Sequence, residues 1–458
     1  MGRPDPVLES PNLSSLIPVY QLLPTSMPYL HADHPLSLYL HIPFCTHRCA
    51  YCDFNTYAGQ ETLIPAYVHA LIREIDFVGN GLKTTGPSKD LTPMHTVFFG
   101  GGTPSLLSPK QFASILRSLR ANFMLTEDAE ITIEANPGTV SYEDLAELRR
   151  IGINRISYGV QSANTEELRM LERVHDFFDV IEAVASARKA GFENLNLDLI
   201  YGLPEQTLQT WQTTVRRVLD LHPEHISAYA LTLEHGTPFG RWASKGLLPL
   251  PNPDLAADMY EWLSDTLDAH GYVQYEISNW ALLKSEGRSR RDDSAFVLHP
   301  SSFHCRHNLQ YWRGLPYLAF GAGAHGYANG YRYSNVLRIK TYIDRLTSLP
   351  SPVSNLQSPS SNLPFPLTPV TVNRHKQNLQ DDMSEFMMTG LRLTREGISQ
   401  GEFEGRFGKS IFDVYGKEID ELLQVGLIEQ VAGVEDCLSL RLSKRGRLLG
   451  NQVFMRFV

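Results

Sequence analysis

Three cysteines fall within eight residues, Cys45, Cys49 and Cys52, in the run His41-Ile-Pro-Phe-Cys45-Thr-His-Arg-Cys49-Ala-Tyr-Cys52. The other two, Cys305 and Cys437, lie far along the chain. Clustered thiolates bind iron–sulfur clusters or zinc, and both ordinarily take four ligands. Three thiolates on a cubane four-iron cluster leave one iron open, and an open metal position is where a substrate or cofactor coordinates. A disulfide framework does not suit a chain of this length with five cysteines and no secretory signal. A zinc knuckle is a second reading, with His41 or His47 as the fourth ligand.

Other chemistry-bearing residues follow at intervals. Phe99-Gly100-Gly101-Gly102-Thr103-Pro104 is a glycine run that lets backbone approach a ligand closely, or simply makes a tight turn. Glu134 stands in Ile133-Glu134-Ala-Asn136-Pro137. Arg155, Tyr158, Gln161 and Ser162 share one run, and Arg173 and His175 another. A guanidinium suits a carboxylate partner. Asp198 sits in Asn196-Leu-Asp198-Leu-Ile-Tyr-Gly202, where an acid flanked by apolar residues requires a dedicated partner.

The elements that must carry these residues alternate. From Leu36 to Ile277 short apolar strands exchange with amphipathic helices. Strands are predicted over Ser37–Ile42, Thr96–Phe99, Glu130–Glu134, Arg155–Tyr158, Asn194–Ile200, Ile226–Leu231 and Val273–Ile277. Ser108-Pro109-Lys-Gln111 predicts a capped helix start, and Ser141 a weaker one. Gly152, Gly191 and Gly271 each predict a left-handed helix end. Such repetition makes an α/β fold with a parallel sheet, and functional groups gather at the carboxyl ends of its strands. Periodicity does not choose between an open sheet and a barrel.

Residues 1–34 read as a flexible extension. Leu282–Phe303 reads as a polar insertion, and Leu349–Val372, rich in Pro, Ser and Asn, as a linker. The last segment predicts a helix capped at Ser399 and carrying Phe403 and Phe407. A second helix follows over Ile411–Leu422, then a hairpin through Leu427–Ile428 and Leu438–Leu442. The pattern suits a small winged-helix-like α+β unit. The division is 1–34, a core over 35–281, a connecting region over 282–380 and a C-terminal unit over 381–458.

The 458 residues carry a net charge of -9 and are 42% hydrophobic, as in a soluble globular protein. An acidic chain is not a general nucleic-acid binder, and Arg441, Lys444, Arg445 and Arg447 read as a solvated face. With no apolar run of about 18 residues, no membrane-spanning helix is expected, although peripheral contact stays open. The location expected is the cytoplasm.

The cysteine spacing, with Tyr51 before the last cysteine, resembles the cluster loop of the radical S-adenosylmethionine (SAM) superfamily. The resemblance implies a partial (β/α) barrel, a 4Fe–4S cluster on Cys45, Cys49 and Cys52, and SAM chelated at the open iron. The runs around Glu134, Gln161 and Asp198 resemble the coproporphyrinogen-oxidase-like branch. Carried over by position, its SAM contacts fall on Tyr39, Tyr51, Gly101, Gly102, Thr103, Glu134, Gln161, Arg173 and Asp198.

Within that branch, anaerobic coproporphyrinogen III oxidases have a fourth cysteine two residues after the third, where this chain has Phe54. Cys52-Asp53-Phe54 and His307-Asn308-Leu-Gln-Tyr311-Trp312 are similar instead to the HemW group of haem chaperones. Imidazole and thiolate are common haem-iron ligands. His307, Tyr311 and Trp312 are therefore candidate haem contacts, or else a lock on the core, with His325 as a further candidate. Cys437 reads as core. The function implied is a chaperone holding cluster, SAM and haem, served by an electron donor and delivering haem to an acceptor protein. The alternative is an oxygen-independent coproporphyrinogen III dehydrogenase of porphyrin biosynthesis.

Overall fold

A computed structural model describes residues 35–85, 93–283, 303–348, 363–432 and 438–458. The first strand, β1 (Leu36–Ile42), leads into a short pair, β2 (Phe44–Cys45) and β3 (Tyr57–Ala58), that ties the two ends of the cysteine loop together. Then come β4 (Pro93–Gly101), β5 (Met124–Ala135), β6 (Arg155–Gln161), β7 (Leu195–Tyr201) and β8 (His225–Ala230). After these follow β9 (Tyr272–Glu276), β10 (Asn279–Leu282), β11 (Tyr317–Phe320), β12 (His325–Ala328), β13 (Tyr331–Asn335) and β14 (Thr371–Lys376). Twelve of these strands form one sheet in the order β14-β13-β12-β11-β1-β4-β5-β6-β7-β8-β10-β9. The run from β11 to β8 is parallel, and both flanks are antiparallel. Among the described residues β14 and β9 end the order and do not pair with each other, so the sheet is an open, partial barrel.

The two faces differ in chemistry. Alternate residues Leu36, Leu38, Leu40 and Ile42 of β1 are fully buried against the outer helices, as are Ile131 and Ile133 of β5 and Leu195, Leu197 and Leu199 of β7. The residues between them turn inward and are largely polar: Tyr39, Glu134, Arg155, Ser157, Asn196, Asp198 and Tyr229 all line one interior cavity. Period two thus sorts each strand into an oily outside and a functional inside.

Each predicted strand is present. Helix Pro109–Asn122 starts at Ser108, whose N–H donates to Gln111 Oε1 at 2.8 Å. Gly152, Gly191 and Gly271 have φ of 110°, 88° and 83°, as left-handed helix ends require. The region after residue 282 departs from expectation. It supplies β11 to β14, and β11 lies directly against β1. Residues 363–372 are not a loose linker. Phe365, Leu367 and Val370 are at most 4% exposed and join the core as bulky apolar side chains in a stretch otherwise of proline, threonine and aliphatic residues. Residues 1–34, most of Leu282–Phe303, positions 349–362 and Cys437 fall outside the described residues.

The C-terminal unit has its own core around Phe386, Phe403, Ile411, Tyr415 and Ile419. Its sheet runs β15 (Ile398–Ser399), β17 (Leu438–Leu442), β16 (Ile428–Ala432), packed on helices Gln400–Phe407 and Ile411–Gln424. Arg441 pairs with Glu429, Arg447 donates to Gln274 Oε1 at 2.9 Å and Arg445 to Val425 O at 3.2 Å, so three of the four tail cations are engaged within the fold.

Candidate functional site

The cysteine loop leaves the carboxyl end of β1 and is pinned by backbone on both sides. Tyr57 N–H donates to Pro43 O at 2.8 Å, while Gly102 N–H and Thr103 N–H donate to Ile42 O and Phe44 O at 2.9 and 2.7 Å. The glycine run is therefore a cradle for the loop. Gly101 has φ 118°, and a side chain at Gly102 would meet Phe44 O at 2.6 Å and Cys45 Sγ at 2.9 Å. Only bare backbone fits there. Below the loop, Tyr51 packs toward Phe239, whose N–H donates to Ala50 O at 3.0 Å.

Cys45, Cys49 and Cys52 are free thiols that face one cavity of about 640 Å³. Burial raises the thiols of Cys45 and Cys52, and the neighbouring sulfurs add to it. Binding as thiolates to a cationic centre would relieve that penalty. Thr103 Oγ1 donates to Cys45 Sγ at 3.6 Å, and Arg173 Nη1 to Cys49 Sγ at 3.7 Å. The donor set thus suits a sulfur-ligated cluster. A single zinc ion would need a fourth ligand beside these thiols, and both histidines considered for that part are engaged elsewhere. His41 spends Nδ1 on Tyr39 and Nε2 on Asn55 O, both at 2.9 Å, and His47 Nε2 faces Glu172 at 3.1 Å.

All twelve residues predicted for cluster and SAM line this cavity: the three thiols with Tyr39, Tyr51, Gly101, Gly102, Thr103, Glu134, Gln161, Arg173 and Asp198. Glu134 Oε2 accepts from Gly101 N–H at 3.0 Å. Burial, then the charge of Asp198, pushes its carboxyl up to about 8. Asp198 accepts from Ser157 Oγ at 2.7 Å and Asn196 Nδ2 at 2.8 Å, the dedicated partners its sequence context demanded. Asn196 Oδ1 accepts in turn from His225 at 2.6 Å and Ser227 at 3.0 Å. Gln161 ends β6 with φ 65°, a left-handed backbone rare outside glycine and asparagine.

Asn136 is a residue that sequence reasoning missed. Its amide donates to Thr103 Oγ1 at 3.0 Å and accepts from Arg173 Nη2 at 2.5 Å, linking the glycine loop to the guanidinium beside Cys49. Its only signal was a polar residue before a proline at a strand end. Tyr229 is another: it is 43% exposed, and it lines the cavity.

The candidate haem residues divide. His307 and Tyr311 reach the cavity, but Trp312 does not; its indole lies under the Arg392 guanidinium, 4.3 Å from ring centre to cation. His325 opens β12 as an exposed residue outside the cavity lining. His307 is 1% exposed, and burial lowers it to about 3, so it is neutral. Its Nδ1 is 2.7 Å from Thr96 Oγ1 and its Nε2 2.7 Å from Tyr311 OH. Thr96 gives its own proton to Ser37, so Nδ1–H donates to Thr96 and Nε2 accepts from Tyr311. Both ring nitrogens are occupied, and the group presented to the cavity is Tyr311.

Comparison with known proteins agrees with this geometry. Residues 39–218 match the Radical SAM superfamily, and residues 377–449 match the HemN C-terminal domain. The chain is 35% identical over 423 residues to "Heme chaperone HemW" of Bacillus subtilis (strain 168), covering 92% of this chain and 99% of that protein. It is 34% identical to the protein of that name from Haemophilus influenzae, covering 93% and 98%. For Escherichia coli (strain K12) the figures are 39% identity, 64% of this chain and 70% of that protein. Among solved structures, coproporphyrinogen III oxidase (HemN) from Escherichia coli superposes with a TM-score of 0.71 at 24% identity, covering 93% of this chain and 91% of that one, which establishes the shared fold. Full-length similarity of this order, around a loop bearing three thiols, makes the chain a member of the HemW family within the radical SAM superfamily.

Proposed function

We propose that this protein is a haem chaperone. It holds a 4Fe–4S cluster on Cys45, Cys49 and Cys52, binds SAM beside the cluster, and carries haem for delivery to an acceptor protein in the cytoplasm. The relatives named above bear the name heme chaperone, and the reading extends that role to this chain. One observation carries it. A single cavity of about 640 Å³ joins the three thiols, the acids Glu134 and Asp198, and the His307–Tyr311 pair. That volume suits a cofactor-sized ligand.

When bound, the cluster would supply an open iron to chelate SAM and an electron from an external donor. The protein's own residues do the rest. Arg173, anchored by Asn136 and Gly159 O, offers a guanidinium to the SAM carboxylate. Glu134 and Asp198, each already oriented by protein donors, accept from amine or hydroxyl groups. Tyr51 and Tyr39 wall the site. The proposed organisation is a core over 35–281, a connecting region over 282–380 and a C-terminal unit over 381–458.

Phe54 stands where the oxidases have a fourth cysteine; it is 68% exposed at the edge of the cavity. The test is anaerobic cluster reconstitution followed by haem titration and product analysis on one sample. About one haem per chain, with coproporphyrinogen III unchanged in the presence of SAM and reductant, is the expected result. Conversion to protoporphyrinogen IX at a useful rate, or no haem bound above a haem-blind control, overturns the reading.

A further inference from the structure

Arg155 opens β6 and lies on the floor of the cavity, among Ser157, Asn196 and His307. It is 1% exposed. Its Nε and Nη2 are enclosed with no hydrogen-bond partner among the described residues. The acids whose charge reaches it are committed elsewhere. Glu130 accepts from Arg306 N–H and His307 N–H, both at 3.2 Å, and from Cys305 Sγ at 3.6 Å. Asp198 accepts from Ser157 and Asn196. A buried guanidinium with idle N–H groups is costly to keep, and its planar fork matches a carboxylate.

We infer that Arg155 is a carboxylate anchor at the floor of the cavity, receiving an acid group of the bound ligand. The inference rests on the proposed function, in which Arg173 takes the SAM carboxylate and the haem propionates still need a partner. Arg173 already serves the cluster side, against Cys49. Arg155 lines the same cavity together with His307 and Tyr311.

The test uses full-length wild-type protein, Arg155→Gln and Arg155→Lys, each reconstituted anaerobically. Each is titrated with haem, haem dimethyl ester, SAM and decarboxylated SAM. The glutamine variant is expected to lose about tenfold or more on haem and nothing on haem dimethyl ester. The lysine variant keeps the buried charge and loses the fork, so it carries the same test if the glutamine variant fails to fold. A loss on haem that its dimethyl ester escapes assigns the propionates, and a loss confined to SAM overturns the inference. Equal losses on acid and analogue overturn the inference alone. So does an unchanged affinity in a variant with wild-type melting temperature and iron content. A wild-type protein that binds neither ligand overturns both this inference and the proposed function.

Discussion

His307 has no free ring nitrogen, so its influence on the cavity passes through the Tyr311 hydroxyl that it holds. Tyr311→Phe is therefore expected to weaken haem binding about as much as His307→Ala, read by absorbance titration. A large loss with alanine and none with phenylalanine would instead make the imidazole a direct ligand. Glu134 provides a pH signature. Burial raises its carboxyl to about 8, so below that pH the empty site holds it protonated and without charge for the SAM ammonium. SAM affinity should climb as pH rises through about 8, and Glu134→Gln should flatten the climb; calorimetry across that range decides. The thiols were legible because their type and spacing are chemically specific, and the acids because the runs around them resemble the coproporphyrinogen-oxidase-like branch. The Asn136 bridge was not, because it joins residues 33 and 37 positions away in sequence. Nor was the idle guanidinium of Arg155, since pattern says nothing about which neighbours are already paired.

The seven strands predicted from alternation are present because parallel strands here have one face filled by aliphatic residues. β11 to β14 escaped notice for the opposite reason. They are short, β11 to β13 are marked by tyrosines rather than an aliphatic alternation, and β14 is almost wholly exposed, so no sustained apolar period marks them. Their attachment depends on Glu74, fully buried on the helix Ile64–Thr85. Glu74 accepts from Tyr342 OH at 2.6 Å, Asn335 Nδ2 at 2.7 Å and Gly321 N–H at 2.8 Å. Burial nevertheless lifts its carboxyl from 4.5 to about 7. The folded chain keeps this proton in a window where the unfolded chain has released it. Its contribution therefore favours folding at low pH and declines between pH 4.5 and 7, by at most about 3 kcal/mol. Urea unfolding of Glu74→Gln should show a shallower pH dependence than wild type over that window. In the glycine cradle, Gly102→Ala pushes a methyl against backbone and the Cys45 sulfur. The expected outcome is loss of most bound iron with the circular dichroism spectrum unchanged; full iron content would show that the loop gives way.

At the scale of the whole molecule, the C-terminal unit is fastened by specific pairs. Arg313 meets Glu396 at 2.9 Å, Arg406 donates to Gly314 O at 2.6 Å, and Arg392 covers Trp312. Trp312→Ala should therefore loosen this union, costing about 3 kcal/mol and splitting the calorimetric melt into two transitions, while haem affinity stays as in wild type. A haem loss with a single intact transition would move Trp312 to the ligand. The two cores were readable from sequence, but the fasteners were not, since each is a pairing between distant segments. The position of β1 carries a last consequence. One neighbour, β4, is made soon after it, whereas Ser37 meets Tyr317 of the other roughly 280 residues later. A nascent chain in which β11 is not yet made thus carries its cysteine loop beside a strand with one side bare. The edge that β11 will cover therefore stays open until about two-thirds of the chain has been made.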